Sequence, residues 1–274
     1  MSELHPRISI STISSWNWPL KQAIELYQQL GVAAMGVEYR KAAADPQGSI
    51  AAIRQAGLSL SSVTADTIGA DLLAPVDEQG SPALRALKPS LDFAAAGGGK
   101  PCYFVGGGSP PRTPTDELVD ALIAAVPPVL AYAREIGVPL AIEHNNAALR
   151  DSGFINTLHD CIEFSEQTGV GICLELQNCW IERNLPELFR RHVHRLAVVQ
   201  VSDFLVGETT RLNRRVLGDG SIPLEFLLGN LLAAGYAGPF EIEILGPAIE
   251  AEGYESSLRR SLDWLNERLV KWDA

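Results

Sequence analysis

A short apolar run that ends in a carboxylate sets the pattern of this chain: Leu140-Ala141-Ile142-Glu143. The same kind of run, of strand length and rich in β-branched or other apolar side chains, recurs along the sequence. These runs occupy residues 8–13, 34–38, 58–64, 102–105, 140–143, 170–175, 196–201 and 240–245. Such runs are typical of parallel strands that are buried on both faces. The sequence therefore predicts eight strands.

Amphipathic segments separate the predicted strands. Pro19 suits the first position of a helix and Gly31 suits its end, so a first helix is predicted between them. The segment 116–136 also has a helical pattern, but Pro127-Pro128 should kink or split it. A last helix is indicated by leucines at helical spacing: Leu258, Leu262, Leu265 and Leu269.

Strands that alternate with helices along the whole sequence predict one (β/α)8 TIM barrel, an α/β fold, with residues 1–274 as a single domain. The 274 residues amount to about 34 per βα unit, which is a usual value for such a barrel. A doubly wound open sheet is the alternative. It is disfavoured because no GxGxxG or GxxxxGK[ST] motif follows a predicted strand, and the glycines at 97–99 and 106–108 suit tight turns.

Composition narrows the class of protein. Hydrophobic residues make up 46% and charged residues 20% of the chain, as in a soluble globular protein with a substantial core. The 22 basic and 33 acidic residues give a formal charge of −11, which repels phosphate backbones and anionic lipids. We therefore expect no nucleic-acid or membrane partner. The N-terminal segment lacks the features of a signal peptide, so a cytoplasmic location is expected.

The cysteines are predicted to be reduced thiols in or near the core. No pair has CxxC spacing, and no Cys/His cluster has the spacing of a zinc site. The four are Cys102, Cys161, Cys173 and Cys179.

Oxygen-bearing side chains end the predicted strands five to eight, where the active sites of barrels lie. They are Glu143, Glu175, Gln200 and Glu243. The separations of 32, 25 and 43 residues are each about one βα unit, so these side chains should stand side by side. Three converging carboxylates repel one another, and a bound divalent cation is the simplest relief. An all-oxygen set favours Mn²⁺ or Mg²⁺ over Zn²⁺. Ordinary ion pairs at strand ends are the alternative.

Several segments resemble the xylose-isomerase-like barrels, a group that includes sugar isomerases, ketose 3-epimerases, hydroxypyruvate isomerase, inosose dehydratase and the endonuclease IV group. The resemblance covers most of the chain and is clearest in GVPLAIE at 137–143, VQVSD at 199–203, RVLGDG at 215–220 and GYAGPFEIE at 235–243. It implies a divalent metal held by the four strand-end residues, with Glu143 and Glu243 also acting as the acid/base pair.

This chain departs from the family pattern at three positions. Glu175 stands where most members have Asp. Gln200 stands where His is usual, and the hydroxypyruvate-isomerase-like branch also has Gln at this position. Asn178 stands where the family often has a His that contacts substrate. The endonuclease branch is disfavoured because it needs several His ligands and a basic DNA-binding face.

Other polar residues near the predicted strand ends are candidates for binding substrate. Arg215 precedes a Gly-Asp-Gly turn and suits a hydroxyl, carboxylate or phosphate group, although a loop salt bridge is an equal alternative. His144 follows Glu143 and by strand alternation should point away from it or enter the loop. Glu38 ends the second strand, where nearby Arg40 offers it an ion pair.

The leading hypothesis is a metal-dependent isomerase or epimerase of a small sugar, sugar acid or polyol ketone. It would remove a proton next to a carbonyl and pass through a cis-enediolate. A dehydratase or lyase of a keto-polyol uses the same first step and is the alternative within enzymes. A metal-free barrel that serves as a binding or accessory subunit is the alternative outside them. The resemblance also allows a homodimer.

Overall fold

The computed structural model describes residues 4–69 and 73–272 of the chain. Eight parallel strands form a closed barrel in the order β1 to β8. The strands are β1 Ile8–Ser11, β2 Ala34–Glu38, β3 Ser59–Thr64, β4 Cys102–Val105, β5 Leu140–Glu143, β6 Gly171–Glu175, β7 Leu196–Val201 and β8 Phe240–Ile242. The barrel closes where β1 pairs with β8, with Ile8 opposite Phe240. The predicted fold and all eight predicted strands are therefore confirmed.

Helices connect consecutive strands and cover the outside of the barrel. They are α1 Leu20–Leu30, α2 Pro46–Gln55, α3 Pro82–Ala96, α4 Thr115–Ala125, α5 Pro127–Glu135, α6 Leu158–Thr168, α7 Leu176–Cys179, α8 Leu185–His192, α9 Leu224–Ala233, α10 Pro247–Glu252 and α11 Tyr254–Trp272. Short 3-10 helices lie at Thr12–Ser15, Tyr39–Lys41, Ala147–Leu149 and Val193–Arg195. Across residues 4–69 and 73–272, no helix has both the length and the apolar character needed to cross a membrane.

The helix signals in the sequence are confirmed with small shifts. The segment 116–136 is split between α4 and α5 at Val126, as its two prolines predict. Gly31 ends α1 in the left-handed conformation at φ 80°, whereas Pro19 lies one residue outside the helix, at its N-cap.

Two strands end earlier than predicted, and β3 and β6 each begin one residue later. β1 ends at Ser11 because the Ser11 hydroxyl accepts a hydrogen bond from the backbone of Ile13 and begins a 3-10 helix. β8 ends at Ile242 because Ser14 takes over the neighbouring backbone groups. The Ser14 hydroxyl donates to the Ile242 carbonyl at 3.0 Å and accepts from the Ile244 amide at 3.0 Å.

Alternation along the strands divides the buried side chains into two sets. Most of the apolar core lies between the strands and the helices around them. A small separate cluster fills the interior of the barrel: Tyr103, Ala141, Cys173 and Val198. The position two residues after an inward-facing residue on the same strand also faces inward. Ala141, Cys173 and Val198 therefore place Glu143, Glu175 and Gln200 on the interior side of the barrel.

All four thiols are expected to resist alkylation in the folded protein. Cys102, Cys161, Cys173 and Cys179 are free and buried, as the sequence predicts. Burial raises the pKa of Cys102 to about 12 and also raises the pKa of the other three, so almost no thiolate is present at neutral pH. A thiol reagent should label none of the four in buffer and all four in denaturant. Rapid labelling in buffer would contradict the burial.

Candidate active site

The four strand-end residues singled out in the sequence meet at the C-terminal end of the barrel. Each is buried, with at most 7% of its surface exposed. Glu143, Glu175 and Gln200 belong to β5, β6 and β7, and Glu243 directly follows β8. We call Glu143, Glu175, Gln200 and Glu243 the mouth cluster.

A buried arginine lies inside the mouth cluster. The Nη1 atom of Arg214 is 2.9 Å from Oε2 of Glu175 and 2.9 Å from Oε1 of Glu243. The same nitrogen donates a hydrogen bond to the Glu243 carbonyl at 2.5 Å. Arg214 is only 4% exposed, so its charge is screened little by solvent. One guanidinium nitrogen thus joins the ends of β6 and β8.

The loop that carries Arg214 is fixed by a buried aspartate. One carboxylate oxygen of Asp203 accepts hydrogen bonds from the amides of Phe204 and Ile222, at 2.8 and 3.1 Å. The other accepts from the amides of Gly218 and Gly220, both at 3.0 Å. A single side chain therefore satisfies four backbone donors and holds both ends of the loop together.

Replacing Asp203 with alanine is expected to lower the free energy of unfolding by about 3 kcal/mol. A buried donor left without an acceptor costs roughly 1–3 kcal/mol, and of the four contacts only that of the Ile222 amide is fully buried. Chemical denaturation would measure the loss. Asp219→Ala removes an exposed carboxylate of the same loop, paired with Arg260, and should cost less than about 1 kcal/mol. Equal losses in the two variants would contradict the anchoring role of Asp203.

The carboxylates of the mouth cluster have altered proton affinities. Burial raises the pKa of Glu143 well above its usual range, and the nearby charges of Glu243 and Glu175 raise it further. Burial also raises the pKa of Glu243, to about 7, but there the positive charge of Arg214 opposes the rise. The environment thus favours a protonated Glu143 and a Glu243 that exchanges its proton near neutral pH. Such a pair is suited to acid/base chemistry.

A chain of hydrogen bonds holds the amide of Gln200. Its Nε2 atom donates to Oε2 of Glu243 at 2.5 Å and to the Tyr103 hydroxyl at 2.9 Å. Its Oε1 atom accepts a weak hydrogen bond from the Cys173 thiol at 3.4 Å. Gln200 therefore fixes the second carboxylate oxygen of Glu243 while Arg214 fixes the first.

A further carboxylate lies deeper in the barrel. Glu241 is fully buried on β8, and its Oε2 atom accepts hydrogen bonds from the hydroxyls of Ser61 and Ser62 at 2.8 and 2.7 Å. A Cβ at Gly36 would lie 2.3 Å from the same oxygen, so a larger residue there would require the carboxylate to move. Burial raises the pKa of Glu241, and the two serines oppose the rise. Two serines and a glycine thus make the space for this carboxylate.

Two of the candidate substrate contacts lie beside the mouth cluster. The Asn178 side chain donates to the His144 carbonyl at 2.8 Å. The His144 ring is fully buried, and burial lowers its pKa to about 4, so it is neutral at physiological pH. Neither ring nitrogen has a hydrogen-bond partner within the described residues.

The other two candidates are engaged in local ion pairs. Glu38 accepts a hydrogen bond from Nε of Arg40 at 2.7 Å, the partner that the sequence offers it. The Nη2 atom of Arg215 is 2.6 Å from Oε2 of Glu208, and its Nη1 atom donates to the carbonyls of Asn213 and Arg214. Arg215 therefore braces the loop, and its neighbour Arg214 contacts the carboxylates.

The mouth cluster as placed does not fit a divalent ion. Among residues 4–69 and 73–272, no group of three or more His, Cys, Asp or Glu side chains could hold a metal ion. Nη1 of Arg214 lies where an ion between Glu175 and Glu243 would have to bind. Gln200 turns its donor nitrogen, not its oxygen, towards Glu243. The Mn²⁺ or Mg²⁺ expected from the oxygen-bearing residues is at odds with this arrangement.

Sequence reasoning missed Arg214. The signal was present, because three converging carboxylates require a positive charge and the chain carries two adjacent arginines at 214 and 215. Adjacent side chains in an extended segment point in opposite directions, so only one of them can reach the cluster. The path of the loop decides which one, and Asp203 sets that path through contacts with residues as distant as Ile222.

Solved structures share this fold at low sequence identity. A protein from Sinorhizobium meliloti 1021 superposes with a TM-score of 0.84 at 23% identity, over 97% of this chain and 98% of that one. The IolI protein with a bound zinc atom gives 0.80 at 16% identity, over 97% and 98%. The 3-keto-D-glucoside 4-epimerase YcjR from E. coli gives 0.74 at 19% identity, over 95% and 99%. Among curated proteins, none matches the sequence.

Comparison of the sequence with family models tests the expected family membership independently of the fold. The family model described as the xylose isomerase-like TIM barrel matches residues 20–268. This match includes all four residues of the mouth cluster and the loop that carries Arg214. The chain belongs to the xylose isomerase-like TIM barrel family.

Proposed function

We propose that the protein isomerises or epimerises a small sugar, sugar acid or polyol ketone by moving a proton on a carbon next to the carbonyl, through a cis-enediolate. The observation that carries this proposal is the pair Glu143 and Glu243. The two carboxyl groups share one buried site, and the pKa of each is raised above its usual value, as is common for groups that transfer protons. Structural relatives named as sugar epimerases support the substrate class.

Each residue has a distinct role in the proposed reaction. Glu243 in its carboxylate form removes the proton next to the carbonyl. Glu143 in its protonated form donates a proton to the developing oxyanion or to the opposite carbon. When Glu143 protonates the opposite face of the carbon, the product is complete, and Glu243 loses its proton to solvent while Glu143 takes one up. When Glu143 protonates the oxyanion, Glu243 returns its proton to the neighbouring carbon, and Glu143 recovers a proton from the hydroxyl that becomes the new carbonyl.

Arg214 and Gln200 prepare the base for this role. The guanidinium and the amide each bind one oxygen of the Glu243 carboxylate, which fixes the orientation of the group. The positive charge of Arg214 also favours any negative charge that develops beside it, as in a substrate enediolate. No proton transfer in this scheme passes through a metal ion.

Hydrogen exchange tests the proposal even when the product is unidentified. The protein is incubated in D₂O with a panel of ketoses, keto-acids and keto-inositols, and NMR detects deuterium at the carbon next to the carbonyl. We expect incorporation into at least one compound, with no incorporation for the double variant Glu143→Gln/Glu243→Gln. Absence of exchange with every compound, or equal exchange in the variant, would refute the proposal. Loss of water from a keto-inositol would instead identify a dehydratase.

A further inference from the structure

The positive charge of the mouth cluster is part of the chain itself. Glu175 and Glu243 each place a carboxylate oxygen 2.9 Å from Nη1 of Arg214, so one nitrogen bridges the two carboxylates. All three side chains are at most 5% exposed. Two buried carboxylates held this close need a shared cation, and the guanidinium supplies one.

The backbone holds Arg214 at this place from both sides. Its amide donates to the Leu245 carbonyl just beyond β8 at 2.9 Å, and the amide of Arg215 donates to the Asp203 carbonyl beyond β7 at 2.8 Å. The loop also packs tightly against Gly246, where an added Cβ would lie 2.0 Å from the Leu212 carbonyl oxygen. Leu212 takes the uncommon left-handed conformation at φ 53° to make this approach. Arg214 is therefore held by backbone hydrogen bonds to the segments that directly follow β7 and β8.

An ion and this guanidinium cannot share the cluster. Mg²⁺ binds oxygen at about 2.0–2.1 Å and requires nearly octahedral geometry, so Nη1 would have to leave both carboxylates. A guanidinium displaced only slightly would remain beside a divalent charge and repel it in a poorly screened site. The hydrogen bond from Nε2 of Gln200 to Glu243 would also have to break for the amide oxygen to face the ion.

We propose that the Arg214 guanidinium takes the place of the divalent cation in this chain, so that the mouth cluster is complete without a metal ion. This role of Arg214 is electrostatic and does not depend on which reaction the site catalyses. It is tested without any substrate, so its failure is distinguishable from failure of the exchange experiment above.

Metal content and metal binding of the purified protein test the inference. Elemental analysis should find no Mn, Mg, Co or Zn held by the wild type, and calorimetric titration with Mn²⁺ and then Zn²⁺ should show no binding at the mouth cluster. In Arg214→Ala the carboxylates are released, and the variant should bind about one Mn²⁺ per chain and become more resistant to heat as Mn²⁺ is added. The triple change Arg214→Ala/Glu175→Gln/Glu243→Gln should lose that binding.

Arg215→Ala is the matched control because it removes a neighbouring arginine that pairs with Glu208 instead of the cluster. It should gain no metal binding. Arg214→Gln serves as a second variant without the positive charge in case the alanine variant does not fold, because glutamine is neutral and larger than alanine. Wild-type protein that binds about one ion per chain, with binding lost in Glu175→Gln, would overturn the inference. A folded Arg214 variant that gains no metal binding would overturn it as well.

Discussion

Replacing Arg214 with methionine is expected to lower the free energy of unfolding by about 3–5 kcal/mol, the usual cost of removing one partner from a buried ion pair. Methionine keeps much of the side-chain volume, so the loss reports the charge more than a cavity. Glu175 and Glu243 would be left close together without their cation. Urea denaturation of the wild type and the variant would measure the difference.

The matched control for this prediction is Arg211→Met. Arg211 lies on the same loop and pairs with Asp151, but both side chains are about half exposed or more. Its replacement should therefore cost no more than about 1 kcal/mol. If Arg214→Met costs no more than the control, the buried guanidinium does not stabilise the cluster.

The loss in Arg214→Met should shrink as the pH is lowered. Without the guanidinium, the pKa of Glu243 rises above the value of about 7 that it has in the wild type, because the charge of Arg214 no longer opposes the effect of burial. A raised pKa in the folded state means that protonation favours folding, so the variant regains stability as the pH falls through that value. Denaturation at pH 8 and pH 5.5 would show the trend.

Glu243→Gln and Glu143→Gln are each expected to slow hydrogen exchange into a substrate by roughly 10² to 10⁴-fold, the usual contribution of a general acid or base. Glutamine preserves size and hydrogen bonding but cannot carry the proton. NMR-detected deuterium incorporation, with the substrate identified by the panel above, would give the rates. Glu225→Gln, on the exposed face of α9 and paired with Arg268, should keep the wild-type rate. Exchange that survives in both variants at the wild-type rate would remove the assignment.

The pH dependence should separate the two glutamates. The wild-type exchange rate is expected to fall as the pH drops through about 7, since Glu243 then takes up a proton and can no longer act as the base. At higher pH the rate should fall again when Glu143 loses its proton, because its pKa is raised well above the usual range. Glu243→Gln should lack the fall on the acidic side. A wild-type rate that is constant between pH 5 and pH 8 would contradict these roles.

The strand pattern could be predicted from the sequence because burial on both faces leaves a local signature. The run Leu140-Ala141-Ile142-Glu143 predicts the strand, and alternation along it predicts which face of the sheet the last side chain occupies. Parity along β8 likewise implies that Glu241 and Glu243 face the same side. The ends of β1 and β8 could not be predicted. β1 ends where the Ser11 hydroxyl caps a 3-10 helix, and β8 ends where the Ser14 hydroxyl bonds to the backbone on both sides of Glu243.

The contacts of the site could be predicted only in part. Convergence of the mouth cluster follows from the spacing of βα units, but the identity of its counter-charge depends on a loop closed by Asp203 and on packing against Gly246. The serines that bind Glu241 lie on β3, far from it in sequence, and only the three-dimensional barrel brings them together. Local patterns contain no information about contacts of this range.

The hydrogen bonds that hold Arg214 in place have a consequence for how the site is assembled. A guanidinium tethered to the backbone cannot dissociate, so dilution, dialysis or a chelating agent leaves the charge of the site unchanged. Every chain has one Arg214, so the number of positive charges per site is fixed by the sequence and does not depend on the concentration of an ion in solution. The carboxylates of each molecule therefore receive their positive counter-charge from the same chain, when the segment between β7 and β8 packs onto the barrel.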